Sequence, residues 1–357
     1  MDTFSEKCKE NGKFEEENIA VAGRIYSMRK AGKNLVFIDL ISDAQKIQVL
    51  INRQQYNDDK DLDANLHNIK RGDVIGVNGV VGRSKTGELS VLTTRVKLLS
   101  PCLHVLPKPD KKHTEVLTDQ ETRYRQRYLD LMVNQKARSI FITRSKVIAI
   151  LRQELANRNF LEVETPILNM VAGGATARPF RTHHNDLNLD MSLRVAPELF
   201  LKNCVVGGLN RVFEIGKNFR NEGIDMTHNP EFTSCELYWA YADYKDLMTM
   251  TEEILCKMVM EIKGSYKFTI KDDNNEDVEI DFTPPFKRVS VIEELEKKLK
   301  KEIPRNFESE EARKFFDDLC NELNVPCSSP RTTARLIDKL IAEYLEVDCI
   351  SPTFLME

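Results

Sequence analysis

Between Ile19 and about Leu99 apolar and polar residues alternate with a period of two, in IAVAGRIYSMR, NLVFIDLIS, KIQVLI, DVIGVNGVVGRS and ELSVLTTRVKLLS. Glycine- and aspartate-containing turns separate these runs, and one helix-like piece lies near residues 54–69. Alternation of this kind predicts five short strands able to close into a small barrel. From Gln135 to Asn157 the spacing changes: Ile140, Phe141, Val147, Ile148, Leu151 and Leu155 recur at helical intervals and predict one long helix. FLEVETPIL then reads as a strand running into a proline. Residues 191–239 read as strands around a charged loop, with a short helix at PELFLKNCVV. Beyond them come an amphipathic helix, YKDLMTMTEEILCKMVMEI, and a hairpin with an acidic tip, FTIKDDNNEDVEIDF. Three further helices are expected near 291–300, 309–323 and 332–346.

The strand-rich start followed by mixed helices and mostly antiparallel strands predicts an α+β chain of two domains. The first is expected to be a barrel of the oligonucleotide-binding type, with another small β-barrel as the alternative. Residues 1–17 read as a flexible tail, 18–100 as the barrel, 101–118 as a proline-containing linker and 119–357 as the larger domain. EVDCISPTFLME stops inside what reads as a strand, so the expectation is a larger domain cut short, with an unpaired sheet edge.

At 357 residues, with 41% hydrophobic and 30% charged residues, the composition is that of a globular protein. The longest apolar runs fall far short of a membrane span. The acidic, polar opening MDTFSEKCKENGKFEEEN resembles neither a signal peptide nor a transit peptide, so a cytoplasmic protein is expected. Eight cysteines without a C-x-x-C pair point to free thiols and away from structural zinc. The net charge of −4 gives no global attraction to nucleic acid, although local basic patches could supply one.

The candidate chemistry sits in NFRNEGIDMTHNPEF, residues 218–232, and in the strand that follows. Residues two apart on a strand share a face, so Arg220 pairs with Glu222, while Phe232, Ser234, Glu236 and Tyr238 form one side of the return strand. A carboxylate such as Glu236 in the middle of FTSCELYWAY is costly to bury unless a cation meets it. Glu198, in LRVAPELFL, poses the same problem. Either an internal ion pair with Arg194 or Arg211 or a ligand ammonium would solve it. Arg220 reads either as a surface arginine or as a bidentate phosphate clamp. His228 reads as a solvated loop residue or a ligand contact, and Gly173-Gly174 as a tight turn or a close approach to a ligand.

Taken together, ETRYRQRYLDL, FLEVETPIL, GGATARPF, RVAPELFLK, RVFEIGKNFRNEGIDMTHNPEFTSCELYWAYADYKDL, DFTPPF, PRTTARLIDKL and SPTFL resemble the class II lysyl-tRNA synthetases of the cytosolic eukaryotic type. The resemblance runs from about Ala20 to Leu355. It implies ATP-dependent activation of L-lysine and its transfer to tRNA(Lys). The opening loop resembles motif 2, and the segment ending at Thr165-Pro166 resembles motif 1, which implies a homodimer through about residues 136–170. Arg220 would be the catalytic cation on the α-phosphate. Glu222, His228, Asn229 and Phe232 would join it in holding ATP, and Gly174, Glu198, Glu236 and Tyr238 would hold lysine. On the barrel Phe37, Gln48 and Glu88 would read the anticodon, with Arg24 near the RNA backbone. Ala172, Phe200 and Trp239 stand where the family usually has proline, tyrosine and methionine. Motif 3, with its γ-phosphate arginine and the acidic ligands of Mg2+, is not found, so those ligands are expected in a missing C-terminal region and no metal site in this chain. A non-catalytic tRNA-binding or regulatory protein is the alternative that this implies.

Overall fold

A computed structural model describes residue 8 and residues 14–43, 45–56, 59–107, 116–272 and 274–356, and its chain falls into two compact units, residues 1–143 and 144–357. In the first unit, β1 (Phe14–Ala31), β2 (Leu35–Ser42), β3 (Gln45–Asn52), β4 (Val74–Arg83) and β5 (Leu89–Ser100) form a closed barrel in the order β1-β2-β3-β5-β4. All its ladders are antiparallel except the parallel pairing of β3 with β5. Along β2, Val36, Ile38 and Leu40 lie in the interior and Phe37 and Asp39 outside. Helix α1 (Asp59–Asn68) contributes Leu62 and Leu66 to the same core.

The tail expected over 1–17 is shorter than that at the described residues. β1 begins at Phe14, and Cys8 is buried with its carbonyl accepting from Arg83 Nε at 2.5 Å. Residues 1–7 and 9–13 lie outside the described residues. The expected linker is also held down at its start. Asp73 accepts from the Cys102 amide at 2.6 Å, and Arg71 donates to the carbonyls of Leu106 and Pro107. Short helices α2 (Gln120–Arg125) and α3 (Arg127–Val133) follow, joined by Asp130, which takes hydrogen bonds from Arg123, Arg127 and Asn134. The division into units falls within α4 (Gln135–Asn157) rather than at residue 118, because a continuous helix carries the chain from one unit into the other.

The second unit holds several small sheets instead of one broad one. β6 (Leu161–Glu162) runs parallel to β10 (Arg211–Phe219), which pairs antiparallel with β11 (Glu231–Trp239). β7 (Leu168–Asn169), β8 (Arg181–His184) and β9 (Leu189–Leu193) form a second sheet, followed by α5 (Glu198–Val206). After α6 (Tyr244–Lys263) come the hairpin β12 (Lys267–Lys271) and β13 (Asp277–Asp281), then β14 (Lys287–Ser290). Helices α7 (Val291–Leu299), α8 (Glu310–Glu322) and α9 (Thr333–Tyr344) share a core around Leu295, Phe316 and Leu336. The last strand, β15 (Thr353–Met356), pairs in parallel with β14, so one of its edges is met.

Two faces of the β10–β11 hairpin decide where chemistry can occur. Phe213, Ile215, Cys235, Leu237 and Trp239 pack on Leu151, Leu155, Met250 and Ile254 of α4 and α6. Burial pushes the Cys235 thiol up to about 11, so it is an inert core group. The opposite face carries Glu214, Gly216, Asn218, Phe232, Ser234, Glu236 and Tyr238 in cross-strand register.

Candidate functional site

Beneath the polar face lies a fully buried ion pair. Arg194, 2% exposed, donates to Glu214 at 2.5 Å, to both oxygens of Thr165 and to the Lys217 carbonyl. Glu214 in turn accepts from the Thr165 amide and hydroxyl. Gly216 is required here, since a Cβ would come within 2.3 Å of the Arg194 guanidinium. The pair thus fixes the end of the segment leading to Pro166 against the hairpin.

At the mouth of the hairpin, the Arg220 amide donates to the Pro230 carbonyl at 2.8 Å, closing the loop. The Arg220 guanidinium carbon lies 5.0 Å from the centre of the Phe232 ring. Its Nε is buried with no hydrogen-bond partner, as is Asn218 Oδ1 on the same face. A buried donor left unpaired is costly, which makes Arg220 Nε a group with an unmet partner. The strand alternation stops at Phe219: the Glu222 amide donates to the Arg220 carbonyl, so Arg220 and Glu222 belong to a turn and not to one strand face. Glu222, His228 and Asn229 are exposed on this loop. Asp225 holds the loop by accepting from the amides of Thr227 and His228 and from His228 Nδ1, and these bonds keep its carboxyl far below the usual range.

Farther along the face, Tyr238 donates to Glu236 Oε1 at 2.9 Å. Burial raises the Tyr238 phenol, reinforced by that hydrogen bond and by the charges of Glu236 and Glu198, so it remains a neutral donor. Gly174 has φ +90°, and a Cβ on it would stand 2.9 Å from Glu198 Cβ. Gly174, Glu198, Glu236 and Tyr238 are therefore one neighbourhood. Neither arginine weighed from the sequence neutralises it: Arg194 is spent on Glu214, and Arg211 lies over the Trp239 ring at 4.5 Å. Lys202, one helical turn after Glu198, pairs with it at 2.6 Å and lies 5.7 Å from the Tyr238 ring centre. The i,i+4 spacing on PELFLK is the sequence signal for this pair. Glu236 has no cationic partner within salt-bridge distance among the described residues; its bond is to a neutral phenol.

On the barrel, Gln48 is 4% exposed and donates to Glu88 at 2.7 Å while accepting from Ser90. Gln48 lies opposite Asp39, two positions from Phe37 on the outer face. Arg29 covers one side of the Phe37 ring at 4.7 Å, a neighbour that strand alternation alone did not single out. Phe37, Gln48 and Glu88 thus share one surface. Arg24 stands apart, opposite Ile41, with its guanidinium on the Gly72 carbonyl at 2.6 Å. Among the described residues, no group of three His, Cys, Asp or Glu side chains could hold a metal ion, and no helix is long and apolar enough to cross a membrane.

Comparison with known proteins adds an independent finding. The sequence profile for class II tRNA synthetases (D, K and N) matches residues 119–344, and that for the OB-fold nucleic acid binding domain matches residues 19–99. Lysine–tRNA ligase cla4 of Cladosporium cladosporioides is 47% identical over 343 residues, covering 94% of this chain and 57% of the relative. A probable cytoplasmic lysine–tRNA ligase of Enterocytozoon bieneusi is 46% identical, covering 99% of this chain and 68% of its own length. The lysine–tRNA ligase of Escherichia coli is 42% identical, with 98% and 67% covered. The chain therefore spans between 57% and 68% of the length of these relatives.

Proposed function

Because the chain belongs to the class II tRNA synthetases and, within them, to the lysine–tRNA ligase family, we propose that it activates L-lysine with ATP and charges tRNA(Lys). The observation that carries this reading is a buried, unpartnered arginine nitrogen at the mouth of the hairpin together with a carboxylate lacking a cation on its polar face. The first suits a phosphate, the second an ammonium.

In this reading a lysine carboxylate oxygen attacks the α-phosphorus of ATP, the bond to the β-phosphate oxygen breaks, and pyrophosphate leaves. Arg220 holds the α-phosphate and the charge that grows on it, and no side-chain nucleophile is needed. Phe232 offers the adenine the ring face not taken by Arg220; Glu222, His228 and Asn229 line its approach. Glu236, oriented by Tyr238, receives the ε-ammonium, with Gly174 allowing close approach. Glu198 joins only as Lys202 yields. A site built around that ammonium penalises an uncharged side chain, because Glu236 then stays unpaired. A ribose hydroxyl of the tRNA terminus next attacks the lysyl carbonyl, and AMP leaves. No three His, Cys, Asp or Glu side chains come together as a metal site among the described residues.

Phe37, Gln48 and Glu88 read the anticodon through stacking and hydrogen bonds, with Arg24 nearer the backbone. Exposure of Leu161, Ile167, Leu168, Met170 and Val171 favours a homodimer through this stretch. The names of relatives from Enterocytozoon and Encephalitozoon favour the cytoplasm.

The test is lysine-dependent ATP–pyrophosphate exchange by this chain and by Arg220→Ala. Exchange that falls by about 10²–10³-fold in the variant supports the assignment. Exchange unchanged in the variant removes Arg220 from the reaction, and exchange by neither favours the binding-only alternative.

A further inference from the structure

Apart from the hairpin, the first unit contains a hollow of about 290 Å³ between the barrel and the segments that follow it. Its lining is unusual in charge. Arg24, Arg71 and Arg138 all border it, against one carboxylate, the exposed Asp43. None of the three guanidiniums is neutralised by a carboxylate among the described residues. Each is held by backbone carbonyls: Arg24 by Gly72, Arg71 by Tyr26, Leu106 and Pro107, and Arg138 by Leu131. Carbonyls orient a guanidinium without cancelling its charge, and leave part of each five-donor fork unused. Apolar side chains, among them Ile25, Leu106 and Met132, make up much of the rest of the wall, beside Tyr26 and Ser42. Unneutralised cations beside apolar side chains are the features of a site for an anion with a nonpolar body.

We propose that this hollow binds a small phosphomonoester whose organic part packs on Met132 and Leu106 while Arg24, Arg71 and Arg138 share its phosphate. The volume lies at the lower end for small-molecule sites, so the ligand is of about mononucleotide size or smaller. A planar fork matches phosphate oxygens bidentately, which selects phosphate over a monovalent anion. Nothing in this proposal depends on the reading of the hairpin as an ATP site.

Phenyl phosphate is the probe, because it joins a phosphate to an apolar ring and carries no adenine. The full chain, labelled with ¹³C-methyl methionine and with its Met132 signal assigned by Met132→Leu, is titrated and followed by NMR. The expected result is a saturable shift of the Met132 methyl that phenol does not produce. Arg138→Gln should weaken binding roughly tenfold, the loss of one charge-assisted bond, while Arg138→Lys retains most of it. Arg24→Gln provides a second, independent reduction should Arg138→Gln fail to fold. Arg220→Ala should leave the titration unchanged, which separates the hollow from the hairpin. A missing Met132 shift overturns the proposal, as does an equal shift with inorganic phosphate, which would mean that the apolar wall selects nothing. Binding unaltered in both Arg24→Gln and Arg138→Gln also overturns the proposal, since the arginines would then not hold the phosphate.

Discussion

Removing one half of the Arg194–Glu214 pair should unfold the second unit at much lower denaturant. Both side chains are almost wholly buried, at 2% and 5% exposure, and Glu214 also anchors Thr165 through two hydrogen bonds. Glu214→Gln keeps the shape but leaves Arg194 charged without its counter-charge. Breaking such a pair from one side costs about 3–5 kcal/mol. With a urea slope of about 2 kcal/mol per molar for a unit of this size, the midpoint should fall by about 2 M. The chain's single tryptophan, Trp239, packs on the other face of the same hairpin, so its fluorescence follows this unit rather than the barrel. That matters because a chain of two units need not unfold in one step. The companion double variant, Arg194→Met with Glu214→Met, removes both charges together. Its cost should be well below the sum of the single changes, with a coupling of at least about 1 kcal/mol. Single variants that lose less than about 1 kcal/mol, or strict additivity in the double, would refute the reasoning.

Gly174→Ala should cost about 1–3 kcal/mol at its positive φ and push Glu198 aside; calorimetry should then show weaker lysine binding, and an unchanged affinity counts against the proposed pocket. Phe37→Ala should weaken binding of an anticodon stem-loop by roughly ten- to a hundredfold, as loss of one stacked base does. Its thermal unfolding should barely change, since Phe37 lies outside the barrel core; a large drop in stability would make it a packing residue instead. Acid should act through Glu154, whose carboxyl is held below its usual range by hydrogen bonds from Lys257 and then Arg158. A depressed carboxylate stabilises fully above its unfolded value, about 4.3, and that contribution is lost as pH falls through the lower folded value. Glu154→Gln should therefore be less stable than the parent at pH 7, with the gap closing below about pH 4.3; a gap independent of pH would show that charge is not the cause.

Periodicity carried much of this molecule. The helix expected over Gln135–Asn157 has those bounds, and β10 and β11 face as their alternation demands, because one side of each is committed to a core. In β2 Val36 and Ile38 are inside and Phe37 is out, where the pattern of LVFIDL alone favours a core aromatic and only the family resemblance places it on the barrel surface. What stayed hidden depends on distance in the chain. Arg194 sits in an apolar run and finds Glu214 twenty positions later, a partnership no local pattern specifies. Arg29 meets Phe37 only across a strand pair, and Asp73 and Arg71 fasten the start of the linker through tertiary bonds. Lys202 is the exception, since its pairing with Glu198 is legible in their helical spacing.

The two-sided hairpin also bears on how this chain can change over generations. Odd and even positions along β11 answer to different demands: Thr233, Cys235, Leu237 and Trp239 belong to the core side, and Phe232, Ser234, Glu236 and Tyr238 to the opposite side. A substitution on one set leaves the other set's surroundings largely intact. The side away from the core can therefore change in single steps without first loosening the scaffold, and the scaffold can drift in its packing while the charge on that side stays the same. One strand thus carries two nearly independent records, interleaved residue by residue.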